Sequence, residues 1–236
     1  MLKTHVFLGI HTRGNDLYWR TVLYVIAQTF VFKRISLAFS VSTWTVATDD
    51  LFNHFLKTGA EFLQLIDADV CPPDTTTASL VARDVDIVTA PVWMYEPQNN
   101  NIHLNVARDI DHDVRLYKPA DGGLEEIENA SFSAMLIRRN VIQSFVDAGE
   151  SFSKWSPIVG DHIKPHTHDL VFCQKARALG HKLYVDWDIK PATHHKHVAV
   201  CEETLEQYLI NREEAVDMRG WNEEYARIFR YSDSRK

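Results

Sequence analysis

Short apolar runs alternate, in the first part of the chain, with segments whose apolar residues recur every three or four positions. HVFLGI (residues 5–10) has strand length and ends in the polar loop HTRGND, after which LYWRTVLYVIAQTF (17–30) carries its apolar residues at helical spacing. ISLAFSVS (35–42) reads as a second strand, and DDLFNHFLKT (49–58) as a helix with acidic residues in its first turn and Gly59 just past its end. FLQLI (62–66) is an uninterrupted apolar run, the pattern of a strand covered on both faces, and it stops abruptly at Asp67-Ala68-Asp69. A Pro-Pro-Asp turn, a helix over residues 75–83 and a buried strand over 86–90 complete a third unit. Three successive strand–helix units predict an α/β domain with an open, mostly parallel central sheet, helices on both faces, and ligands at the carboxyl ends of the strands.

Beyond residue 93 the pattern loosens into short stretches better suited to hairpins, a small antiparallel part that extends to residue 128. ENASFSAMLIRR contains a further strand, followed by a helix over 140–148 and a polar loop rich in Trp, Pro and His over 155–168. A helix over 169–179 is ended by Gly180; the strand HKLYVDW and the loop PATHHKHV come next. Residues 202–236 are amphipathic and highly charged, as expected of one or two helices packed back on the sheet. No repeat or linker cuts the chain into separate domains.

Composition narrows the class. With 236 residues, 45% hydrophobic and 24% charged, the chain can bury a core without disulfides. Lys and Arg number 25 against 32 acidic residues, a net charge of −7 that opposes nucleic-acid backbones and anionic membrane surfaces as bulk partners. Cys71, Cys173 and Cys201 show no CxxC spacing and fit a reducing compartment; the opening apolar run is short for a signal peptide, and no stretch reaches the roughly 20 apolar residues of a membrane span, so a cytoplasmic protein is expected. Seven of twelve histidines (His162, His166, His168, His181, His194, His195 and His197) crowd into one stretch of the chain.

The strongest chemical signal is Asp67-Ala68-Asp69. Two carboxylates two residues apart at a strand end project to the same side, so both can face one Mg²⁺ or Mn²⁺ ion and, through it, a phosphate. A helix cap or a solvated turn is the competing reading of such a short motif. Its place at the mouth of the sheet favours the ligand site.

FLQLIDADVCPPDTTTASLVARDVDIVTAPV, SFSAMLIRRNVIQSF, HDLVFCQKARALGHKLYVDW and PATHHKHV, in that order over residues 60–198, resemble the central segments of nucleotide-sugar-dependent glycosyltransferases of the GT-A fold, particularly the family 2-like group. The resemblance implies a Rossmann-like GT-A fold in one domain, with a nucleotide-sugar-binding half (1–92), an acceptor and catalytic half (93–200) and a helical tail (201–236). It implies a divalent ion, Mn²⁺ or Mg²⁺, bridging the diphosphate of a UDP-sugar or similar donor, with Asp69 as direct ligand and Asp67 on the ribose or a metal-bound water. His194 matches the family's C-terminal metal-binding histidine and His195 is the close alternative, since strand alternation lets only one of the two face the ion. Asp169 matches the aspartate that inverting members use as base toward the acceptor hydroxyl, although a first-turn helix carboxylate is also favoured by the helix dipole alone.

Several positions depart from the family pattern. His168 replaces the acidic residue of E-D, which leaves a retaining outcome open. Ala47-Thr48-Asp49-Asp50 stands where the family often has A-R-N before the second helix, and Asp49 or Asp50 could accept hydrogen bonds from a nucleobase imide or a ribose. Thr12 and Arg13, at the end of the first strand, are placed to meet the nucleotide, with Arg13 equally readable as a surface charge. Trp93, Tyr95 and Trp155 could stack on a sugar or base or pack in the core, and Cys71 and Cys173 read as small buried residues. The expected acceptor is a hydroxyl on a glycan, a lipid-linked sugar, a protein or a modified nucleic-acid base, selected by the loops at 93–118 and 150–168. Two other classes compete: a metal-dependent hydrolase or phosphotransferase in which His162, His166 and His168 join the carboxylates, and a non-catalytic nucleotide-sugar-binding module.

Overall fold

The computed structural model describes residues 1–12, 17–41, 44–96, 101–109, 114–115, 121–152, 168–195 and 199–200. Its first half runs β1 (Leu2–Thr12), α1 (Trp19–Val31), β2 (Phe32–Val41), α2 (Trp44–Leu56), β3 (Phe62–Asp67), β4 (Val70–Cys71), α3 (Thr76–Ala82) and β5 (Ile87–Thr89). Short strands follow: β6 (Trp93–Glu96), β7 (Asn101–Leu104), β8 (Val106–Asp109), β9 (Val114–Arg115), β10 (Leu124–Ile127) and β11 (Asn129–Ala130). The chain then forms β12 (Ala134–Arg138), α4 (Arg139–Asp147), α5 (His168–Ala178), β13 (Leu183–Asp186), β14 (Thr193–His195) and β15 (Ala199–Val200).

Seven strands make the central sheet in the order β10-β13-β5-β12-β3-β1-β2. β1 pairs in parallel with β2 and β3, and β13 with β5, whereas β12 and β10 run antiparallel to their neighbours. Five strands therefore point one way, which is the mostly parallel, Rossmann-like α/β sheet expected. The small antiparallel part is also present, as the β6–β7 hairpin and the three-stranded sheets β11-β8-β9 and β15-β14-β4.

Alternation along the strands fills both faces. Phe7, Leu63, Leu65, Met135 and Ile137 meet α2, α4 and α5 through Leu51, Phe52, Phe55, Val141, Phe145 and Phe172, all in one buried cluster. Val6, Leu8, Ile10 and Ile66 point the other way, against Tyr24 and Val25 of α1, and Leu80 of α3 packs with Phe62, Val88 and Leu136. Burying one large apolar side chain is worth about 1.5–3 kcal/mol, so these two layers dominate the stability. Gly9 lets α2 come close: a Cβ there would stand 3.1 Å from Leu65 and 3.3 Å from Leu51. Arg139 fastens the far end of the same helix, its Nε donating to the Ala60 carbonyl at 2.6 Å and its Nη2 to the Phe55 and Thr58 carbonyls at 3.0 and 2.7 Å.

Two elements depart from the sequence reading. The helix expected over residues 49–58 starts at Trp44, so Asp49 and Asp50 sit within it and not in its first turn. The buried positions Ala47, Leu51, Phe52 and Phe55 continue the helical spacing upstream, through Thr45, Val46 and Thr48, whose β-branching resembles the end of a strand. The second correction concerns PATHHKHV, read as a loop: Thr193–His195 form β14, the central strand of the sheet β15-β14-β4. Three residues are too few for periodicity to reveal.

Candidate functional site

At the carboxyl end of the sheet, β1 and β3 stop side by side, with His11 registered against Asp67. Both residues follow the alternation of Phe7, Leu63 and Leu65, which turns them toward α2 and α5. His11 is buried, and its Nε2 lies 3.1 Å from Thr48 Oγ1 on α2. Its Nδ1 is 3.8 Å from Asp67 Oδ1. Ser133, in the turn before β12, donates to Asp67 Oδ2 at 2.6 Å. That serine ends a chain of donors: Val92 N–H to Asn105 Oδ1 (2.8 Å), Asn105 Nδ2 to Ser131 Oγ (3.2 Å) and Ser131 Oγ to Ser133 Oγ (2.8 Å). Asp67 is thereby oriented from the antiparallel part of the molecule as well as from its own strand.

The turn carrying Asp69 is tied to α1. Ala68 N–H donates to the His11 carbonyl at 2.9 Å, and Tyr18 N–H to the Ala68 carbonyl at 3.0 Å. The Thr21 hydroxyl shares its proton between the Ala68 and Val70 carbonyls, each 3.0 Å away. Asp69 stands between these two anchored carbonyls and is half-buried. β14 then joins β4 antiparallel, with Thr193 opposite Cys71 and His194 opposite Val70. The backbone register thus carries His194 to the residue next to Asp69, and one further step along it brings His195 level with Asp69.

α5 delivers His168 and Asp169 in its first turn, where Asp169 Oδ1 accepts from Leu170 N–H at 2.9 Å. The His168 ring lies 5.3 Å from that of Phe132 and 6.2 Å, edge-on, from that of His11. Phe132 is the upper member of an aromatic column that continues through Phe172 to Phe145, with ring separations of 5.3 and 5.1 Å. Burial lowers the His11 pKa to about 3, helped by His168 beside it, so His11 is neutral at ordinary pH. Burial also lowers His168, against the pull of the Asp169 and Asp49 carboxylates. The same interaction places Asp49, from the middle of α2, within electrostatic reach of this group; Asp50 is exposed.

Asp49, Asp67, Asp69, His168 and Asp169, read from three separate segments, are thus placed toward one sheet end, with His194 carried in by strand pairing. Thr12 ends β1 and alternates with His11 toward the α1 side. Trp93 is partly buried against the main core, Cys173 is fully buried with its thiol pushed up to about 12 by burial, and burial likewise raises Cys71. Arg13, Trp155, His162, His166, His197 and residues 201–236 lie outside the described residues, and Tyr95 lies in β6. Sequence reasoning missed His11, Thr48 and Ser133. Only His11 had a visible signal, as the alternation partner of Phe7 and Gly9 at the last turn of a strand that ends in a polar loop. Among the described residues, no three or more His, Cys, Asp or Glu side chains converge as a ready-made metal cage, and no helix is long and apolar enough to cross a membrane.

No family model matches the chain, and no curated protein matches it. Among solved structures it is similar to the one titled "Crystal Structure of A197 from STIV", with a TM-score of 0.56 at 13% sequence identity over 85% of this chain and 91% of that one. At that identity the likeness is one of fold.

Proposed function

We propose that the protein is a metal-dependent glycosyltransferase that moves a sugar from a nucleoside diphosphate donor, such as a UDP-sugar, to an acceptor hydroxyl. The observation that carries this reading is the placement of Asp67 at the end of β3, with Asp69 two residues on, and of Asp49 and Asp169 within electrostatic reach of His168, whose ring adjoins that of His11 at the end of β1. Two carboxylates suit a divalent ion that arrives with its own ligands, because Mg²⁺ and Mn²⁺ accept one or two protein carboxylates plus substrate phosphates and water. When bound, the ion would offset the charge that develops on the departing diphosphate. Asp69, half-buried in the turn, would ligate the ion, and His194 or His195 would complete the set from β14. Asp67, steered by Ser133, would hold the ribose or a water on the ion. Asp49 faces the nucleoside from α2.

Asp169 would take the proton from the acceptor hydroxyl as it attacks the anomeric carbon. Neutral His168 and His11 beside it add no positive charge that would weaken the carboxylate as a base. The acceptor would enter from the side of the antiparallel sheets. A glycan, a lipid-linked sugar, a protein or a modified base all present the required hydroxyl.

The test is Mn²⁺-dependent binding of a nucleotide-sugar panel, with slow donor hydrolysis as the activity readout. Binding should occur with at least one donor, disappear in Asp69→Ala, and survive in Asp169→Asn, whose turnover falls by about 10²–10⁴-fold. Donor-independent phosphatase activity would favour the hydrolase reading, and unchanged turnover in Asp169→Asn with intact binding would favour a non-catalytic module.

A further inference from the structure

The outward side of α1 is apolar. Trp19, Leu23, Ile26 and Phe30 fall at i, i+4, i+7 and i+11, opposite the buried Thr21, Tyr24, Val25 and Gln28, and each is between 47% and 75% exposed. The stripe is about 16 Å long. Leu37 and Phe39, also exposed, lie on the same face of the sheet in its edge strand β2, registered against Leu8 and Ile10. An apolar surface of this extent marks a place that something covers.

Charge identifies the occupant. The helices on the other face of the sheet, α2, α4 and α5, carry Asp49, Asp50, Asp147 and Asp169, whereas α1 and α3 hold no acidic residue between them. Between Asp16 and Asp49 the chain has three basic residues, Arg20, Lys33 and Arg34, and no acidic one. Arg20 opens α1, its guanidinium 5.2 Å from the centre of the Trp19 ring. Lys33 follows the end of α1 and, by alternation with Leu37, stands on the face of β2 that α1 covers. Neither forms an ion pair among the described residues. Asp74, which precedes α3, meets α1 on its inner side, where its carbonyl accepts from Gln28 Nε2 at 2.9 Å. Two α1 helices laid together, parallel or antiparallel, would set basic ends against basic ends with no acidic side chain on either helix to offset them, which argues against a second copy. An anionic surface matches both the charge and the apolar stripe.

We propose that α1 docks on an anionic lipid surface, with Trp19, Leu23, Ile26 and Phe30 entering the boundary between headgroups and acyl chains and Arg20 and Lys33 meeting the headgroup charges. The net charge of −7 opposes such a surface for the molecule as a whole, so the contact is confined to this face. Docking is independent of the chemistry proposed for the sheet mouth. Its consequence for the acceptor rests on that reading: the first turn of α1 holds the turn carrying Asp69 through Tyr18 and Thr21, so the mouth comes to lie beside the headgroups and a lipid-linked sugar becomes the acceptor.

Co-sedimentation of the full chain with vesicles of equal parts phosphatidylcholine and phosphatidylglycerol tests this. It needs no donor, metal or turnover, so its failure is distinct from failure of the nucleotide-sugar assay. The parent chain should pellet with these vesicles and not with phosphatidylcholine alone. Arg20→Gln with Lys33→Gln should weaken the partition about 30-fold, and salt at about 1 M, where the screening length is about 3 Å, should weaken it in the same direction. Leu23→Asp with Phe30→Asp should abolish pelleting at an unchanged circular dichroism spectrum, whereas Val146→Asp, at an exposed position of α4 on the opposite face, should leave it intact. A parent chain that stays in the supernatant overturns the proposal. So does pelleting that survives Leu23→Asp with Phe30→Asp, or that is equal with phosphatidylcholine alone. A doubled mass in light scattering that the same two substitutions abolish also overturns it, by assigning the face to a second copy.

Discussion

Two clusters of the same residue types sit at opposite ends of the central sheet. At the carboxyl end, His11, Asp67, Ser133 and Thr48 come from β1, β3, a turn and α2. At the amino end, His181 lies between Asp86 and Ser144, with Nδ1 2.7 Å from Asp86 Oδ2 and Nε2 2.9 Å from Ser144 Oγ, while Asn140 donates to Asp86 Oδ1 at 3.0 Å. The lower cluster is closed: its histidine is bonded on both nitrogens, and it ties the start of β5, α4 and the entry to β13 together. In the upper one His11 Nδ1 and Asp67 Oδ1 stand 3.8 Å apart, beyond hydrogen-bond reach, and Ser133 donates to the other carboxylate oxygen. A hydrogen-bonded network that closes on itself stabilises the fold, whereas the carboxyl ends of the strands are where open α/β sheets take ligands.

The sharpest way to break this comparison is to neutralise one carboxylate at each end. Asp67→Asn should lower donor turnover by about 10²–10³-fold through lost electrostatic stabilisation, with a melting temperature near that of the parent. Asp86→Asn should do the reverse, leaving turnover within a factor of two or so and lowering the melting temperature. Equal loss of turnover in both variants would dissolve the distinction.

Acid separates the two ends as well. His11 has its pKa lowered to about 3 in the fold, against about 6.5 unfolded, so between those values the unfolded chain binds the extra proton. Stability therefore falls as pH drops from about 6.5 toward 3, by about 1.4 kcal/mol per pH unit from this group alone. Asp86 acts in the same direction but over a lower pH window. Burial raises its pKa, but the hydrogen bonds from His181 and Asn140 and the nearby His181 and Arg138 charges outweigh burial and leave it lowered. Its contribution is thus present above the unfolded carboxylate value, about 3.9, and is lost only as pH falls through the lower folded value. Melts of His11→Asn from pH 7 to pH 4.5 should show a flatter decline than the parent. Asp86→Asn should leave the slope in that window unchanged.

A smaller effect is expected from His181→Ala, which removes two hydrogen bonds at a partly buried site. It should cost about 1–3 kcal/mol, or several degrees in a domain of this size, with donor binding intact.

The ends also differ in how far they can be read from sequence. Asp67 and Asp69 were legible because an apolar run stops at them, and Asp169 because it opens a helix that Gly180 closes. β1, β3 and β5 were found within a few residues, since strands buried on both faces are written as continuous apolar runs. Asp49 stands out only against the family's A-R-N pattern, and its place in the middle of α2 is hidden because the β-branched residues before it imitate a strand end. His11 and Ser133 acquire their roles from register: His11 from pairing with Asp67, and Ser133 from an antiparallel strand inserted between β3 and β5 that no local pattern announces. The lower cluster joins Asp86 to His181 across 95 residues, and only the folded sheet brings them together.

The most local contrast is between the two serines. Ser133 donates to a carboxylate at 2.6 Å at the mouth, whereas Ser144 donates to the Val141 carbonyl within its own helix at 2.7 Å and meets His181 through the same oxygen. Ser133→Ala takes from Asp67 a hydrogen bond of the charged class, and the carboxylate becomes free to rotate away from the orientation a ligand would need. Donor affinity should fall by about tenfold, or 1.4 kcal/mol, and Ser133→Thr, which keeps the hydroxyl, should restore most of it. Ser144→Ala removes one hydrogen-bond partner of His181 but leaves its bond to Asp86, so about 1 kcal/mol of stability is lost and donor affinity is unchanged. Calorimetric titration of Mn²⁺ and nucleotide into the three variants separates these outcomes: equal affinities for Ser133→Ala and Ser144→Ala would mean that Ser133, like its counterpart, only holds the fold together.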